Sequence, residues 1–184
     1  MTPSVPALIV QQSRDYFGEY LAKIETAIAP LTVEQVWWRP NEASNSIGNL
    51  MLHLAGNVRQ WMVGGVGKDD VTRDRAREFA TREPVPVATL VAELRGAVDE
   101  AVAVLDRLNL ECLADRRQIQ RFDTNVLGAI YHVVEHFSMH TGQIIMLAKM
   151  QTAKDAGFYK LRADGTPEPT WTATGRPFER GAKP

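Results

Sequence analysis

Three of the chain's four histidines stand four residues apart in AIYHVVEHFSMHTGQII, residues 129–145: His132, His136 and His140. A neutral imidazole carries one free nitrogen lone pair, which can accept a proton near neutral pH or bind a divalent metal. On an α-helix, residues four apart are turned by about 40° and displaced by about 6 Å, so their side chains can grip one ion together. His132 with His136 meets that condition, and so does His136 with His140. His132 and His140 are about 12 Å apart along the axis and cannot chelate directly. His136 belongs to both workable pairs, and spacing alone leaves the choice between them open. The fourth histidine, His53, lies far upstream in NLMLHLAGNVRQW.

These residues need elements to hold them, and the apolar periodicity supplies four long helices. The first is expected over residues 5–29, with Val10, Phe17, Leu21, Ile24 and Ile28 on one stripe and Pro30 ending it. TVEQ at 32–35 has capping-box spacing and predicts a short turn. Ser46 is expected to cap a second helix over 47–63, stopped by GGVG at 64–67. The charged run KDDVTRDRAREFATRE at 68–83 reads as a solvated connection with room for a helical turn. A third helix follows Pro86, burying Leu90, Leu94, Val98 and Leu105. The fourth, capped by Asp123 or Thr124, runs to about Met150. No strand pattern rivals these, so the expected fold is all-α, a four-helix bundle over residues 1–152 with an irregular surface tail over 153–184. The second connection is long for a hairpin and suggests a crossover between parallel helices.

Two of the helices carry a polar seam. On the fourth, His132, His136, Met139, His140, Gln143 and Leu147 share a face. On the second, Asn49, His53, Gly56, Asn57 and Gln60 share a stripe otherwise surrounded by Leu, Met, Val and Trp. Buried polar groups left unsatisfied cost about 1–3 kcal/mol each, so two facing seams call for a compensating partner. A metal ion in a wet cavity would be one.

Composition narrows the function classes. Twenty-one basic residues against twenty-two acidic give a net charge of -1, and Arg73, Arg75, Arg77 and Arg82 are interleaved with acids, so no basic face for nucleic acid is expected. A single cysteine, Cys112, rules out an intramolecular disulfide and reads as an inert thiol. No apolar window is long enough to span a membrane and no basic leader opens the chain, so the expected location is the cytoplasm. A small-molecule substrate fits this profile.

IGNLMLHLAGNVRQW together with LGAIYHVVEHFSMHTGQIIMLAK resembles the DinB-like superfamily of bacterial metal-binding helix bundles. It is also similar to the bacillithiol transferases and mycothiol-dependent maleylpyruvate isomerases that share its fold. The resemblance spans about residues 5–150, and its most specific element is HTGQ, residues 140–143. It implies an up-down-down-up bundle and a metal triad of His53, His136 and His140. His132 then joins Gln143, Asn57 and Gln60 in lining the cavity or backing the ligands. The implied cofactor is a divalent ion, zinc or nickel first and iron or manganese after them. Three neutral ligands leave the ion its full charge, and in the characterised relatives such a site activates a low-molecular-weight thiol, the implied cosubstrate, for transfer to an electrophile. Glu135 falls off the metal-facing stripe. The resemblance also implies a homodimer, for which Trp37, Trp38 and the flank of the first helix offer a patch. The competing reading is a non-catalytic, stress-associated homodimer with a structural or vestigial metal site.

Overall fold

The computed structural model describes residues 2–170. Four long helices build the core: α1 (Val5–Ile28), α3 (Ile47–Val58), α5 (Val87–Asp106) and α6 (Val126–Thr152). Two short ones, α2 (Val33–Trp37) and α4 (Arg75–Ala80), sit in the connections. The chain is mostly helical, and its strands form two separate antiparallel pairs, β1 (Arg116–Ile119) with β2 (Phe122–Asn125) and β3 (Tyr159–Leu161) with β4 (Pro167–Pro169).

Local chemistry explains where the helices begin. Ser46 Oγ accepts the Asn49 N–H at 3.1 Å while Asn49 Oδ1 accepts the Ser46 N–H at 3.3 Å, a reciprocal box that starts α3. Thr32 and Gln35 do the same for α2. The cap of α6 is Asn125, whose Oδ1 accepts the Gly128 N–H at 2.7 Å. Asp123 and Thr124, the expected caps, are instead paired in β2 opposite Gln118 and Arg117.

The second long helix does not stop at residue 63. It continues from α3 through a π-helical segment, Arg59–Val66, and Gly67 donates to the Met62 carbonyl at 2.8 Å. Gly65 lies inside this segment rather than breaking it, because a Cβ there would stand 2.3 Å from Ile119 Cδ1. The missing side chain lets buried Ile119 of β1 close against the helix.

Each long helix packs on two others, α1 on α6 and α5, α3 on α5 and α6. Between α1 and α5, Arg14 meets Asp106 at 2.8 Å and Glu25 meets Arg95 at 2.6 Å. Between the π-helical segment and α5, Arg59 reaches both Glu93 and Glu100 at 2.9 Å. Phe17 of α1 lies against Phe137 of α6, with ring centres 6.1 Å apart. Phe17, Leu54, Met62, Leu94 and Phe137 are among the fully buried side chains. Each such side chain stabilises the fold by about 1.5–3 kcal/mol relative to exposure.

Two expectations need correcting. Trp37 is a packing aromatic and offers no part of an exposed patch: it is buried, its indole N–H donates to the Val85 carbonyl at 3.0 Å, and its ring closes on Gly48, which leaves Trp38 the exposed one of the two. The segment after residue 153 is not all irregular, because β3 and β4 form a hairpin within it. The rest of that expected tail, residues 171–184, lies outside the described residues. Among the described residues, no helix is long and apolar enough to cross a membrane.

Candidate metal centre

α3 contributes His53 and α6 contributes His136 and His140, and one nitrogen of each ring lies within 4.8 Å of the other two. The converging atoms are the Nε2 nitrogens. His136 Nε2 is 3.2 Å from His53 Nε2 and 3.2 Å from His140 Nε2. His140 Nδ1 lies 2.7 Å from Gln143 Oε1. An oxygen that can only accept requires the proton on Nδ1, which leaves the Nε2 lone pair of His140 bare. His53 Nδ1 lies 2.9 Å from Glu78 Oε2 and 3.1 Å from Arg73 Nη2; because that Nη2 donates more closely to Glu78 Oε2, at 2.7 Å, the carboxylate favours the proton on Nδ1 and a bare Nε2. A single proton on His136 Nε2 could satisfy only one of its two neighbours. At least one pair of nitrogen lone pairs therefore faces another with no hydrogen between them.

A cation removes that conflict. Two nitrogens each about 2.0–2.1 Å from one tetrahedral ion stand roughly 3.3–3.4 Å apart, so the observed spacings fit a shared metal with little movement. The donor set fits too. Burial, then the neighbouring His140 and His53, push the His136 pKa down to about 3. Burial also lowers that of His140, against an opposing bond from Gln143, and that of His132. These rings stay neutral and able to ligate across the physiological range. His136 Nδ1 is buried without a hydrogen-bond partner, so this ring lacks the backing that Glu78 and Gln143 give the other two.

The connection between α3 and α5 is built into the site, contrary to its reading as a solvated linker. Glu78, on α4, is only 8% exposed. Its Oε1 and Oε2 accept from Arg73 Nε and Nη2 at 2.6 and 2.7 Å, a two-pronged ion pair. Burial opposes ionisation of this carboxyl, but the bonds from Arg73 and His53 outweigh it and hold its pKa below the usual value. Asn49 fastens α4 to α3, donating to the backbone carbonyls of Glu78 at 2.8 Å and Thr81 at 3.1 Å. Gly56 makes room, since a Cβ there would stand 2.1 Å from Glu78 Oε1. The Phe79 ring lies 4.6 Å from that of His53, tilted by 40°, and the Arg75 guanidinium carbon sits over the Phe79 ring, 5.0 Å from its centre. The sequence signal for this was weak: one Arg and one Glu among ten charges look like any solvated run.

The remaining expected residues divide. Gln143 backs His140 directly. The His132 ring lies 4.0 Å from that of Trp61, tilted by 40°, and adjoins His136 at 5.4 Å, edging the cluster without joining its three converging nitrogens. Gln60 accepts from Arg73 Nη1 at 2.7 Å and also bonds Gln120 in the β1–β2 turn. Asn57 is buried, and its Oδ1 has no protein partner. Met139, expected on the inward face, is 49% exposed: it precedes His140 by one residue, about 100° around the helix.

Comparison with known proteins is sparse. No curated protein matches the chain. A solved structure titled "Crystal structure of the conserved protein of locus from Enterococcus faecalis" is similar at 18% identity and a TM-score of 0.69, covering 83% of this chain and all of that one. At that identity the likeness concerns the fold alone. The family described as "Protein of unknown function (DUF1572)" matches residues 4–161, most of the sequence. The chain belongs to the DUF1572 family.

Proposed function

We propose that this chain is a DinB-like metal-binding protein in which His53, His136 and His140 hold one divalent ion and leave coordination positions open for a small substrate. The observation that carries the reading is the convergence of three Nε2 atoms at 3.2 Å contacts, with two of the rings turned inward by acceptors at Nδ1. Nitrogen donors favour zinc or nickel, with iron or manganese behind them. Such an ion, when bound, lowers the pKa of a coordinated thiol or water and makes an anionic nucleophile available at neutral pH. The enzymatic reading is a thiol transferase that joins a low-molecular-weight thiol to a small electrophile.

The protein's own groups support the orientation of the ligands. A cleft lined by Pro40, Ser44, Leu50, Gln143, Met146 and Leu147 reaches Gln143, the residue that holds His140. Gln143 meets His140 at Nδ1, so this cleft lies on the side of that ring away from the converging nitrogens. The helix contacts support an up-down-down-up four-helix bundle. Arg14 with Asp106 and Glu25 with Arg95 make α1 and α5 antiparallel. Trp61 beside His132 and His53 beside His136 and His140 run α3 antiparallel to α6, while Ile9 and Ser13 near Tyr131 and Val134 and Tyr20 beside Phe137 run α1 parallel to α6. We further assign the protein to the cytoplasm as a homodimer, with exposed Val5 and Leu8 on α1 and Tyr131 on α6 as its contact face.

Elemental analysis of identically purified variants tests the ligand set. His53→Ala, His136→Ala and His140→Ala should each lose most of the bound metal, because two remaining ligands form a weak site. His132→Ala should keep it. Metal lost from His132→Ala but retained by His140→Ala would place the α6 ligand pair one turn earlier and refute the assignment.

A further inference from the structure

We propose that Glu78, clamped by Arg73, is the positioning residue of His53, so that the charged connection between α3 and α5 is a working part of the metal centre. This rests on the metal reading above, but its own observations concern the protein alone. Glu78 Oε2 lies 2.9 Å from His53 Nδ1. Arg73 Nη2 lies 3.1 Å from the same nitrogen but donates more closely to Glu78 Oε2, at 2.7 Å, so a bare Nδ1 would trade its short contact with the carboxylate for a longer, shared bond to the guanidinium. Protonated, it donates to an anion, and the Nε2 lone pair is fixed toward His136.

Glu78 cannot turn away, since its oxygens are gripped by Arg73 Nε and Nη2 at 2.6 and 2.7 Å. Arg73 is held in turn by Gln60 at 2.7 Å. The side chains of Arg73 and Glu78 are only 5% and 10% exposed, so water competes weakly for these bonds. The backbone is anchored as well, with Asn49 donating to the Glu78 carbonyl at 2.8 Å. A solvated linker would need none of this. A carboxylate behind a ligating imidazole fixes its tautomer and raises its basicity, and losing such a partner typically weakens metal binding 10–100-fold.

The test uses the full chain and two readouts. Nitrogen NMR of the metal-free protein reads the His53 tautomer, and competition against a chromophoric chelator reads zinc affinity. The paired variant Arg73→Met/Glu78→Leu removes both buried charges together, which avoids stranding either one. It should stay helical and unfold cooperatively. His53 should lose its fixed Nδ1–H tautomer, and zinc should bind about 10–100-fold more weakly. Glu78→Gln, which keeps the shape and one acceptor, covers the case in which the paired variant does not fold; it should retain the tautomer and bind zinc more weakly than wild type. An Nε2–H tautomer in wild type overturns the proposal, and so does unchanged zinc affinity in either folded variant. A wild type that shows the Nδ1–H tautomer but takes up no zinc supports the placement of His53 by Glu78 and refutes the metal reading alone.

Discussion

Gly56→Ala sets two physical effects of opposite sign against each other. Residue 56 lies inside α3, where alanine is favoured over glycine by about 1 kcal/mol, so helix propensity alone predicts a more stable protein. The new Cβ, however, would stand 2.1 Å from Glu78 Oε1, 2.9 Å from Arg73 Nε and 3.0 Å from Glu78 Cδ. Ordinary contact between such atoms begins near about 3.4 Å, so the carboxylate must retreat by roughly 1.3 Å. That is more than its bonds to Arg73 and His53 can stretch. Removing one partner of a buried ion pair costs about 3–5 kcal/mol; displacement leaves both charges present and partly paired, so we expect roughly 2–3 kcal/mol. After the helix gain, the net loss is about 1–2 kcal/mol. For a chain of this size that lowers Tm by roughly 2–8 °C. Thermal and urea unfolding followed by circular dichroism measure it. A Gly56→Ala protein as stable as wild type, or more stable, would refute the close fit of Glu78 and Arg73 against α3.

Three further outcomes are expected. Chelation should lower Tm by only a few degrees, because the core is packed by Phe17, Leu54, Leu94 and Phe137 independently of the ion; loss of the cooperative transition on chelation would make the site structural instead. The metal-free protein should lose stability as pH falls from about 6.5 toward 3, because the unfolded chain protonates this histidine near its ordinary value while folded His136 does so only near about 3. Urea midpoints across that window should show a shallower decline in His136→Asn, and an identical decline would remove His136 as its source. Light scattering at micromolar concentration should give the mass of a dimer, and a variant with Leu8→Glu and Tyr131→Glu should give that of a monomer.

The sequence revealed the site's two helical seams and missed the segment that braces them, for a reason rooted in how each encodes its position. His53, His136 and His140 sit on long helices whose apolar stripes fix which face turns inward, so the period of 3.6 residues carries the ligands with it. The start of α3 was equally legible, because Ser46 and Asn49 form a cap from contacts three residues apart. The cap of α6 was misplaced by one or two residues because Asp123 and Thr124 are also good caps, and only pairing with β1 takes them out of contention. In the sequence Gly65 looks like a helix breaker because its companion Ile119 lies more than fifty residues away, and the glycine's use is visible only when that side chain is in place.

Glu78 is the same case at the centre of the site. α4 is six residues long, too short for periodicity to assign a buried face, and its charges suggest solvent. What buries it is the combination of Gly56 and Asn49 on α3 with Arg73 in the connection that follows, each ordinary alone. Arg73 and Glu78 are five residues apart in sequence and cancel in any count of charge, so composition hides the pair that a low-dielectric interior requires. A carboxylate is tolerated there because three donors meet it: the Nε and Nη2 of Arg73 and the Nδ1 of His53. That same arrangement leaves His53 with its lone pair on the inner nitrogen. The chemistry of the cluster therefore depends on a segment whose local sequence, taken alone, gives no reason to leave the solvent.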